Sequence, residues 1–243
     1  MKPSARAHFH FGLGKFALGL VVPFFNRHSS LRMVTLVRRE SKTGHYDLLE
    51  AQRGYDLTYY DTNKTQKVGL LSIERYDGDS CLLKLADQYG LPAIISCSVG
   101  EGRVATLFPV IAALVRAHAE HYRDQALLFL PFENSSHAAV DLARYLAQIE
   151  PGLEKLVIPM NMIVDRICAG VRVDPPRCIV VAESFEEFYL SPVEWDWDPP
   201  SGMRSLLAES GLLGHYLDPP VFDLQKKKKT WVVNGLHYCI SIL

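Results

Sequence analysis

The segment that most constrains the fold is the N-terminal run of this chain. A short apolar strand pattern at Ala7–Phe11 is followed by the glycine turn GLGKFA, an apolar helical pattern over Leu13–Arg27 and a β-branched run at Met33–Val37. Strand, glycine turn, helix and strand within about thirty residues make a βαβ unit, which places two parallel strands side by side with a helix across them. We therefore expect an α/β protein built on a mostly parallel sheet.

The turn has the residue pattern of a dinucleotide-binding loop. Gly12, Gly14 and Ala17 form a GxGxxA motif between the strand and the helix. Gly12 permits the tight turn, Gly14 lets a pyrophosphate approach the backbone, and Ala17 lets the helix pack closely on the strand, while the helix N-terminus presents N–H groups to the phosphates. A purely structural glycine turn is the alternative, and the strand–turn–helix context favours binding of NAD or NADP.

Two arginines after the second strand bear on the choice of dinucleotide. An acidic residue at this point binds the ribose hydroxyls of NAD. This chain has Arg38 and Arg39 instead, and a guanidinium group can pair with the 2′-phosphate of NADP. NADP is therefore slightly favoured, and the alternative is that both arginines simply face solvent.

The rest of the chain continues the alternation of strands and helices after a polar interruption. We expect an inserted hairpin region between Ser41 and Asp79, with strand-like pieces at Leu57–Tyr60 and Val68–Ile73. Strands are then predicted at Pro92–Val99, Ala126–Phe132, Leu156–Ile158 and Cys178–Val181, and helices at Val104–His121, Ser136–Ile149 and Met203–Glu209. The pattern predicts a Rossmann-type doubly wound domain over residues 1–191, with a domain boundary where prolines begin to interrupt the chain.

Three residues at predicted strand ends are candidates for the site. Ser98 and Gly100 lie where a strand ends, and the carboxyl edge of a doubly wound sheet lies beside its cofactor. An ordinary strand-to-helix turn is the alternative there. Asn134, which follows another strand, could donate an amide hydrogen to a substrate oxygen, and a plain helix-capping role is the alternative.

The segment KTWVVNGLH near the C-terminus carries a possible catalytic set. Asn234 and His237 are three residues apart, so they share one face of a helix, and Lys229 lies five residues before Asn234. An amine beside an amide and an imidazole suits proton transfer at a carbonyl or an alcohol. Because Lys229 ends the run Lys226–Lys229, a solvated lysine-rich face is the alternative.

Charged residues also interrupt an apolar stretch further upstream. Asp165 and Arg166 follow NMIV, and charges in such surroundings must be paired or functional because unpaired burial costs several kcal/mol. A structural ion pair is the commoner explanation.

Composition excludes several classes of protein. The chain is 48% hydrophobic and 22% charged, with a net charge of −1, whereas nucleic-acid binding usually requires a basic excess. Apolar runs such as Leu18–Phe25 are too short to span a bilayer, and no secretory signal is visible. Five scattered cysteines without a CxxC pair fit reduced thiols, and the histidines form no metal-spaced set. We expect a cytoplasmic protein without a metal, a nucleic-acid partner or a membrane partner; the oligomeric state stays open.

Six segments in order resemble the polyol-specific long-chain dehydrogenases, the mannitol dehydrogenase family. They are HFGLGKFALG, SCSVG, FENSS, NMIVDRI, VVAESFEEF and KTWVVNGLH, and they extend from His10 to His237. The ENSS form, with glutamate before the asparagine, is most similar to the mannitol-1-phosphate 5-dehydrogenase branch.

The resemblance implies metal-independent hydride transfer between a nicotinamide and a polyol or ketose, foremost mannitol 1-phosphate and fructose 6-phosphate. It implies Lys229 as the general acid–base, Asn234 and Asn134 as donors to the reacting oxygen, and His237 as a positioning residue. Free mannitol or fructose and a hexuronate are alternative substrates.

Three departures from the family pattern bear on the cofactor and on the activity of this chain. Arg38 stands where many relatives are acidic, which puts NAD specificity in doubt, and the run QKKKK precedes the lysine. The chain stops at Leu243 where the family continues, so the resemblance implies that 192–243 is the beginning of a mainly helical C-terminal domain that ends early, in a fragment, a truncated gene product or a chain completed by a partner. A non-catalytic, truncated nucleotide-binding remnant is therefore a further possibility.

Overall fold

The computed structural model describes residues 6–41, 44–70, 72–122, 125, 127–133, 137–193 and 202–234, with the backbone alone at 44 and 232–234. Within these residues the strands are β1 Ala7–Phe11, β2 Arg32–Arg38, β3 Gly54–Tyr59, β4 Lys64–Gly69, β5 Ile73–Tyr76, β6 Pro92–Cys97, β7 Leu127–Pro131, β8 Val157–Asp165, β9 Cys168–Asp174, β10 Arg177–Ala182 and β11 Glu187–Pro192. The α-helices are α1 Val22–His28, α2 Gly44–Gln52, α3 Asp79–Tyr89, α4 Phe108–Tyr122, α5 Ala138–Ile149, α6 Met203–Glu209 and α7 Pro219–Lys228.

The central sheet has seven strands in the order β11-β8-β7-β6-β1-β2-β5. Its strands pair in parallel except for β11, which runs antiparallel to β8. The six parallel strands, read from β5 and numbered along the chain, therefore have the doubly wound order 3-2-1-4-5-6. The predicted Rossmann-type fold is confirmed. Its strand order reverses between β1 and β6, and ligands of such sheets bind in the crevice at that point.

Each face of the sheet is covered by its own apolar core. In β1, Phe9 and Phe11 belong to the core formed with helices α3, α4 and α5. The alternate residue His8 points to the opposite face, where its ring lies 4.2 Å from that of Phe25 in α1. Helices on both faces bury the parallel strands, and all five residues of β1 are buried.

A second sheet of four strands lies outside the Rossmann core, in the order β4-β3-β10-β9. Strands β3 and β4 form the predicted hairpin, while β3 pairs in parallel with β10. The prediction of one strand over Val68–Ile73 is wrong, because β4 ends at Gly69 and Ile73 begins β5 of the central sheet. Strand β10, which contains the predicted Cys178–Val181, belongs to this second sheet.

The first helical segment begins later than the sequence pattern suggests, and the second sheet packs against it. Ala17–Val21 is a π-helical turn that continues without a break into α1, and Pro23 is the second residue of α1, directly after this turn. A Cβ atom at Gly19 would lie 2.5 Å from the Sγ atom of Cys168 in β9. Glycine therefore permits this close approach between the helix and the second sheet.

Several further elements differ from the prediction in extent. The expected helix at Val104–His121 consists of a 3₁₀ segment, Glu101–Leu107, followed by α4. Strand β8 runs through the NMIVD stretch, far beyond the expected Leu156–Ile158. Helix α6 has the predicted bounds, α2 and α3 were not predicted, and the domain boundary at residue 192 stays a prediction.

One helical stretch is long and apolar enough to cross a membrane by length and composition alone. It is Glu101–Tyr122, which contains α4. Core helices of globular domains pass the same test, and Ile111, Leu114 and Val115 of this stretch are fully buried in the core beside the sheet.

Candidate functional site

A cleft of about 490 Å³ lies at the point where the strand order reverses. Four of the residues predicted to bind the cofactor line it, namely Gly12, Gly14, Arg38 and Ser98. They come from the carboxyl ends of β1, β2 and β6, three neighbouring parallel strands. The structure thus brings together residues that lie up to 86 positions apart in the sequence.

The glycine turn is held to both neighbouring strands by backbone hydrogen bonds. The Gly12 N–H donates to the Leu36 carbonyl at 2.9 Å, and the Ser98 N–H donates to the Phe11 carbonyl at 2.9 Å. Gly12 has φ +104°, and a Cβ atom there would lie 2.8 Å from the Ser98 carbonyl oxygen. At Gly14, by contrast, no atom of the described residues lies within 4 Å of such a Cβ. The turn is therefore closed at Gly12 and open toward the cleft at Gly14.

Gly12→Ala is expected to destabilise the protein by about 2 kcal/mol, because alanine strongly disfavours this positive φ and its methyl group meets backbone. Chemical denaturation of the purified variant measures the change. Gly14→Ala is the matched control and should remain within about 0.5 kcal/mol of the parent. Equal stability of the two variants would show that the Gly12 turn is not conformationally constrained.

Ala17 and Gly100 support the cleft without lining it. Ala17 is fully buried where the helix begins, in line with its predicted packing role. Gly100 has φ +93°, and its N–H donates to the Glu133 carboxylate at 2.6 Å. Burial raises the pKa of Glu133, and the N–H groups of Gly100 and Val99 oppose that shift. Glu133 thus ties the loop after β6 to the end of β7, a role that the sequence analysis missed.

The two arginines at the end of β2, Arg38 and Arg39, are not equivalent. Arg38 lines the cleft, where its guanidinium lies 3.3 Å from the Thr106 hydroxyl and 3.6 Å from the Glu40 carboxylate. Arg39 instead forms a 2.5 Å ion pair with Asp77. Arg38 is therefore the arginine placed to meet a group bound in the cleft.

A buried polar chain behind the cleft was also missed by the sequence analysis. His10 contacts the Ser96 hydroxyl through Nδ1 at 2.7 Å and the Ser98 hydroxyl through Nε2 at 2.9 Å. His8 contacts the same Ser96 hydroxyl through Nε2 at 2.6 Å. The alternation in AHFHF places both histidines on one face of β1, but their serine partners become evident only once β1 pairs with β6.

Lys229 is set apart from the lysines that precede it. Lys226, Lys227 and Lys228 are exposed, whereas Lys229 is half-buried and its Nζ donates to the Val164 carbonyl. Burial lowers the pKa of Lys229, and the nearby Asp165 carboxylate opposes that shift. Val164 is next to the last residue of β8, so the amine lies at the carboxyl edge of the sheet, the edge that also carries the cleft.

The other predicted catalytic residues cannot be placed beside Lys229. Lys229–Asn234 forms a π-helical turn, in which only the backbone of Asn234 is described. His237 and Asn134 lie outside the described residues. The assignment of Lys229, Asn234, His237 and Asn134 as one catalytic set stays a prediction.

Of the two charged residues at the end of β8, Arg166 forms a structural ion pair, as the sequence analysis favours. The Arg166 side chain is fully buried and donates to the Glu186 carboxylate at 2.8 Å. It also donates to the Glu183 carbonyl at 2.8 Å. Arg166 therefore joins β8 to the loop before β11, and Asp165 is left near Lys229.

Comparison with known proteins shows the fold. No family model and no curated protein sequence matches this chain. Two solved structures of octopine dehydrogenase, one described with NADH and L-arginine and the other with NADH and pyruvate, are similar with TM-scores of 0.55 and 0.56 at 10% identity. Both alignments cover 88% of this chain and 48% and 50% of octopine dehydrogenase, so the chain spans about half the length of that enzyme.

A third solved structure is a more distant neighbour. It is 2-dehydropantoate 2-reductase from Porphyromonas gingivalis W83, with a TM-score of 0.46 and 12% identity over 89% of this chain and 64% of the reductase. The octopine dehydrogenase structures show the Rossmann-type fold of this chain, and the resemblance to the mannitol dehydrogenase family stays a prediction.

Proposed function

We propose that this chain binds a nicotinamide dinucleotide in the cleft and transfers hydride to or from a small molecule. The observation that carries the proposal is the glycine turn, which is closed at Gly12, open at Gly14 and placed where the strand order reverses. A pyrophosphate can approach the backbone where no Cβ fills the space, and helical N–H groups begin directly after the turn. The NADH named for the octopine dehydrogenase structures supports the same choice of cofactor.

Arg38 favours NADP over NAD within this proposal. Its guanidinium lines the cleft at the end of β2, where the adenosine ribose of a dinucleotide lies in this fold. The Glu40 carboxylate at 3.6 Å is an exposed and weak competitor for the guanidinium. A 2′-phosphate would offer Arg38 a stronger, bidentate partner.

Lys229 is the group we assign to proton transfer. The bound nicotinamide would accept or supply the hydride at the carbon of the substrate. For oxidation of an alcohol, the neutral Lys229 amine accepts the hydroxyl proton, and for reduction the ammonium returns it to the oxygen. Burial lowers the pKa of Lys229, which increases the fraction of the neutral amine at a given pH.

For the substrate we propose a polyol and its ketose, foremost mannitol 1-phosphate and fructose 6-phosphate, on the strength of the six resembling segments. Free mannitol with fructose and a hexuronate are the alternatives within the same chemistry. A nucleotide-binding protein without catalysis is the alternative of a different class, and it predicts cofactor binding without turnover of any of these sugars.

Titration with NADPH and NADH tests the proposal, using the quenching of protein fluorescence on binding. The parent protein is expected to bind NADPH more tightly than NADH. Arg38→Ala should weaken NADPH binding by about 10- to 100-fold, because it removes a charge-assisted hydrogen bond to the 2′-phosphate. It should change NADH binding by about twofold or less, because NADH lacks that phosphate.

Arg39→Ala is the matched control, because Arg39 carries the same charge one residue further on but pairs with Asp77. It should leave the binding of both dinucleotides within about twofold. Failure of the parent to bind either dinucleotide refutes the proposed function. Equal losses in the two arginine variants refute the assignment of Arg38 alone.

A further inference from the structure

The polar chain behind the cleft links a buried imidazole to the cleft surface in three steps. The contacts run from His8 Nε2 to Ser96 Oγ at 2.6 Å, from Ser96 Oγ to His10 Nδ1 at 2.7 Å, and from His10 Nε2 to Ser98 Oγ at 2.9 Å. His8, Ser96 and His10 are fully buried, whereas Ser98 lines the cleft. The four side chains are therefore one hydrogen-bonded unit with a closed end and an open end.

The closed end has an unusual property. His8 Nδ1 is buried and is one of three such side-chain atoms without a hydrogen-bond partner in the described part of the chain. The aromatic ring beside His8 is that of Phe25, which offers no lone pair to an N–H group. An unpaired buried N–H is rare and costly, and an unpaired acceptor is tolerated better.

The protonation of His8 Nδ1 decides which group donates at each hydrogen bond of the polar chain. If Nδ1 of His8 carries no proton, then its Nε2–H donates to Ser96, and the Ser96 hydroxyl is free to donate to Nδ1 of His10. The Nε2–H of His10 then donates to Ser98. The reverse direction would leave a buried N–H of His8 unpaired, and donation by both histidines to Ser96 would leave the serine hydroxyl unpaired.

Neutral imidazoles are required for this arrangement, because an imidazolium donates from both nitrogens and His10 could not then accept from Ser96. Burial keeps both imidazoles neutral. It lowers the pKa of His10 to about 3 and lowers that of His8 well below its ordinary value, where the neighbouring His10 adds to the shift.

We propose that His8, Ser96 and His10 form a one-way hydrogen-bond relay that holds the Ser98 hydroxyl as a donor toward a phosphate oxygen of the dinucleotide in the cleft. The proposal rests on the proposed function and adds positioning residues to it. Since Ser98 accepts from His10 in this arrangement, its own hydrogen is free to point into the cleft, which Ser98 lines together with Gly14. A donor oriented in advance loses little rotational freedom when the anion binds.

Nitrogen NMR of the protein labelled with ¹⁵N-histidine tests the relay without any ligand. Long-range proton–nitrogen correlations distinguish the two neutral tautomers and the imidazolium, and the resonances are assigned by single His→Gln variants. His8 and His10 are both expected as the Nε2–H tautomer at pH 7. An Nδ1–H tautomer or an imidazolium at either position would overturn the relay.

Binding of NADPH tests the effect of the relay on the ligand. Ser98→Ala is expected to weaken binding about tenfold and His10→Leu by a similar factor. The double variant should bind no more weakly than Ser98→Ala alone, because His10 acts only through Ser98. If the double variant instead lost NADPH affinity by the product of the two single losses, the positioning role of His10 would be overturned.

Thr35→Val is the matched control, since it removes another buried hydroxyl, on the neighbouring strand β2, that does not line the cleft. It should bind NADPH as the parent does. Absence of NADPH and NADH binding by the parent would refute the proposed function and the ligand role of Ser98 together, while the tautomers would still decide the relay itself. Binding by the parent with no loss in Ser98→Ala would refute the ligand role alone.

Discussion

Lys229→Met is expected to lower turnover by about 10²- to 10⁴-fold, the usual contribution of a general acid–base, with NADPH binding changed by about twofold or less. Methionine keeps the length of the side chain and removes the amine, so a proton can no longer pass to or from the substrate oxygen at this atom. Nicotinamide absorbance measures the rate with mannitol 1-phosphate, fructose 6-phosphate, mannitol and fructose. A Lys229→Met variant that retains full turnover would refute the assignment.

Lys227→Met is the matched control, because Lys227 lies in the same lysine run and is exposed. It should keep turnover within about twofold. The rate of alcohol oxidation by the parent should rise with pH through an apparent pKa below the 10.5 of an ordinary lysine, because burial favours the neutral amine. Loss of activity in both lysine variants would indicate an electrostatic effect of the run instead of proton transfer at Lys229.

If the parent binds NADPH but turns over none of these sugars, the non-catalytic alternative is supported. Repeating the assay with pyruvate and L-arginine, the molecules named for the octopine dehydrogenase structures, would then separate a different substrate from an absence of catalysis.

Lowering the pH from 7 to 5 is expected to reduce the free energy of unfolding by about 2 kcal/mol through His10 alone. The pKa of His10 is about 3 in the folded protein, against 6.5 for an ordinary histidine. Between these values the unfolded chain binds a proton that the folded chain does not, so stability falls as the pH drops below about 6.5. His8 and His118, whose pKa values burial also lowers, act in the same direction.

Urea denaturation at pH 7, 6 and 5 measures the effect. His10→Gln should show a flatter dependence on pH than the parent, because glutamine has no proton to gain. Thr35→Val changes another buried residue without removing a titratable group, and it should keep the pH dependence of the parent. A parent protein whose stability is unchanged between pH 7 and pH 5 would contradict the burial of neutral imidazoles in β1.

The parts of the fold that the sequence predicts are those with a local physical signature. The turn at Gly12 and Gly14 combines a required positive φ with a motif of fixed spacing, so both the parallel sheet and the position of the cleft follow from it. Strand β5 was missed because IERY is only four residues long and lacks a continuous apolar run. Its membership in the central sheet depends on β2, far away in the chain.

The contacts of the candidate site likewise depend on residues that are far apart in the sequence, so the sequence alone does not predict them. Lys229 has the same side chain as the three lysines before it, and only its contact with β8 distinguishes it. The partner of Arg166 is Glu186, not its neighbour Asp165, because the chain turns back toward β11 after β10. The relay from His8 to Ser98 depends on the register between β1 and β6, which no local pattern specifies.

The second sheet has a consequence for the synthesis of the protein. Strand β3 leaves the ribosome more than a hundred residues before β10, its parallel neighbour. Translation proceeds at roughly 5–20 residues per second, so the edge of β3 that pairs with β10 stays unpaired for on the order of ten seconds. During that time the β3–β4 hairpin is open to pairing with other chains. Faithful folding in the cell therefore depends on how quickly residues 60–182 are translated.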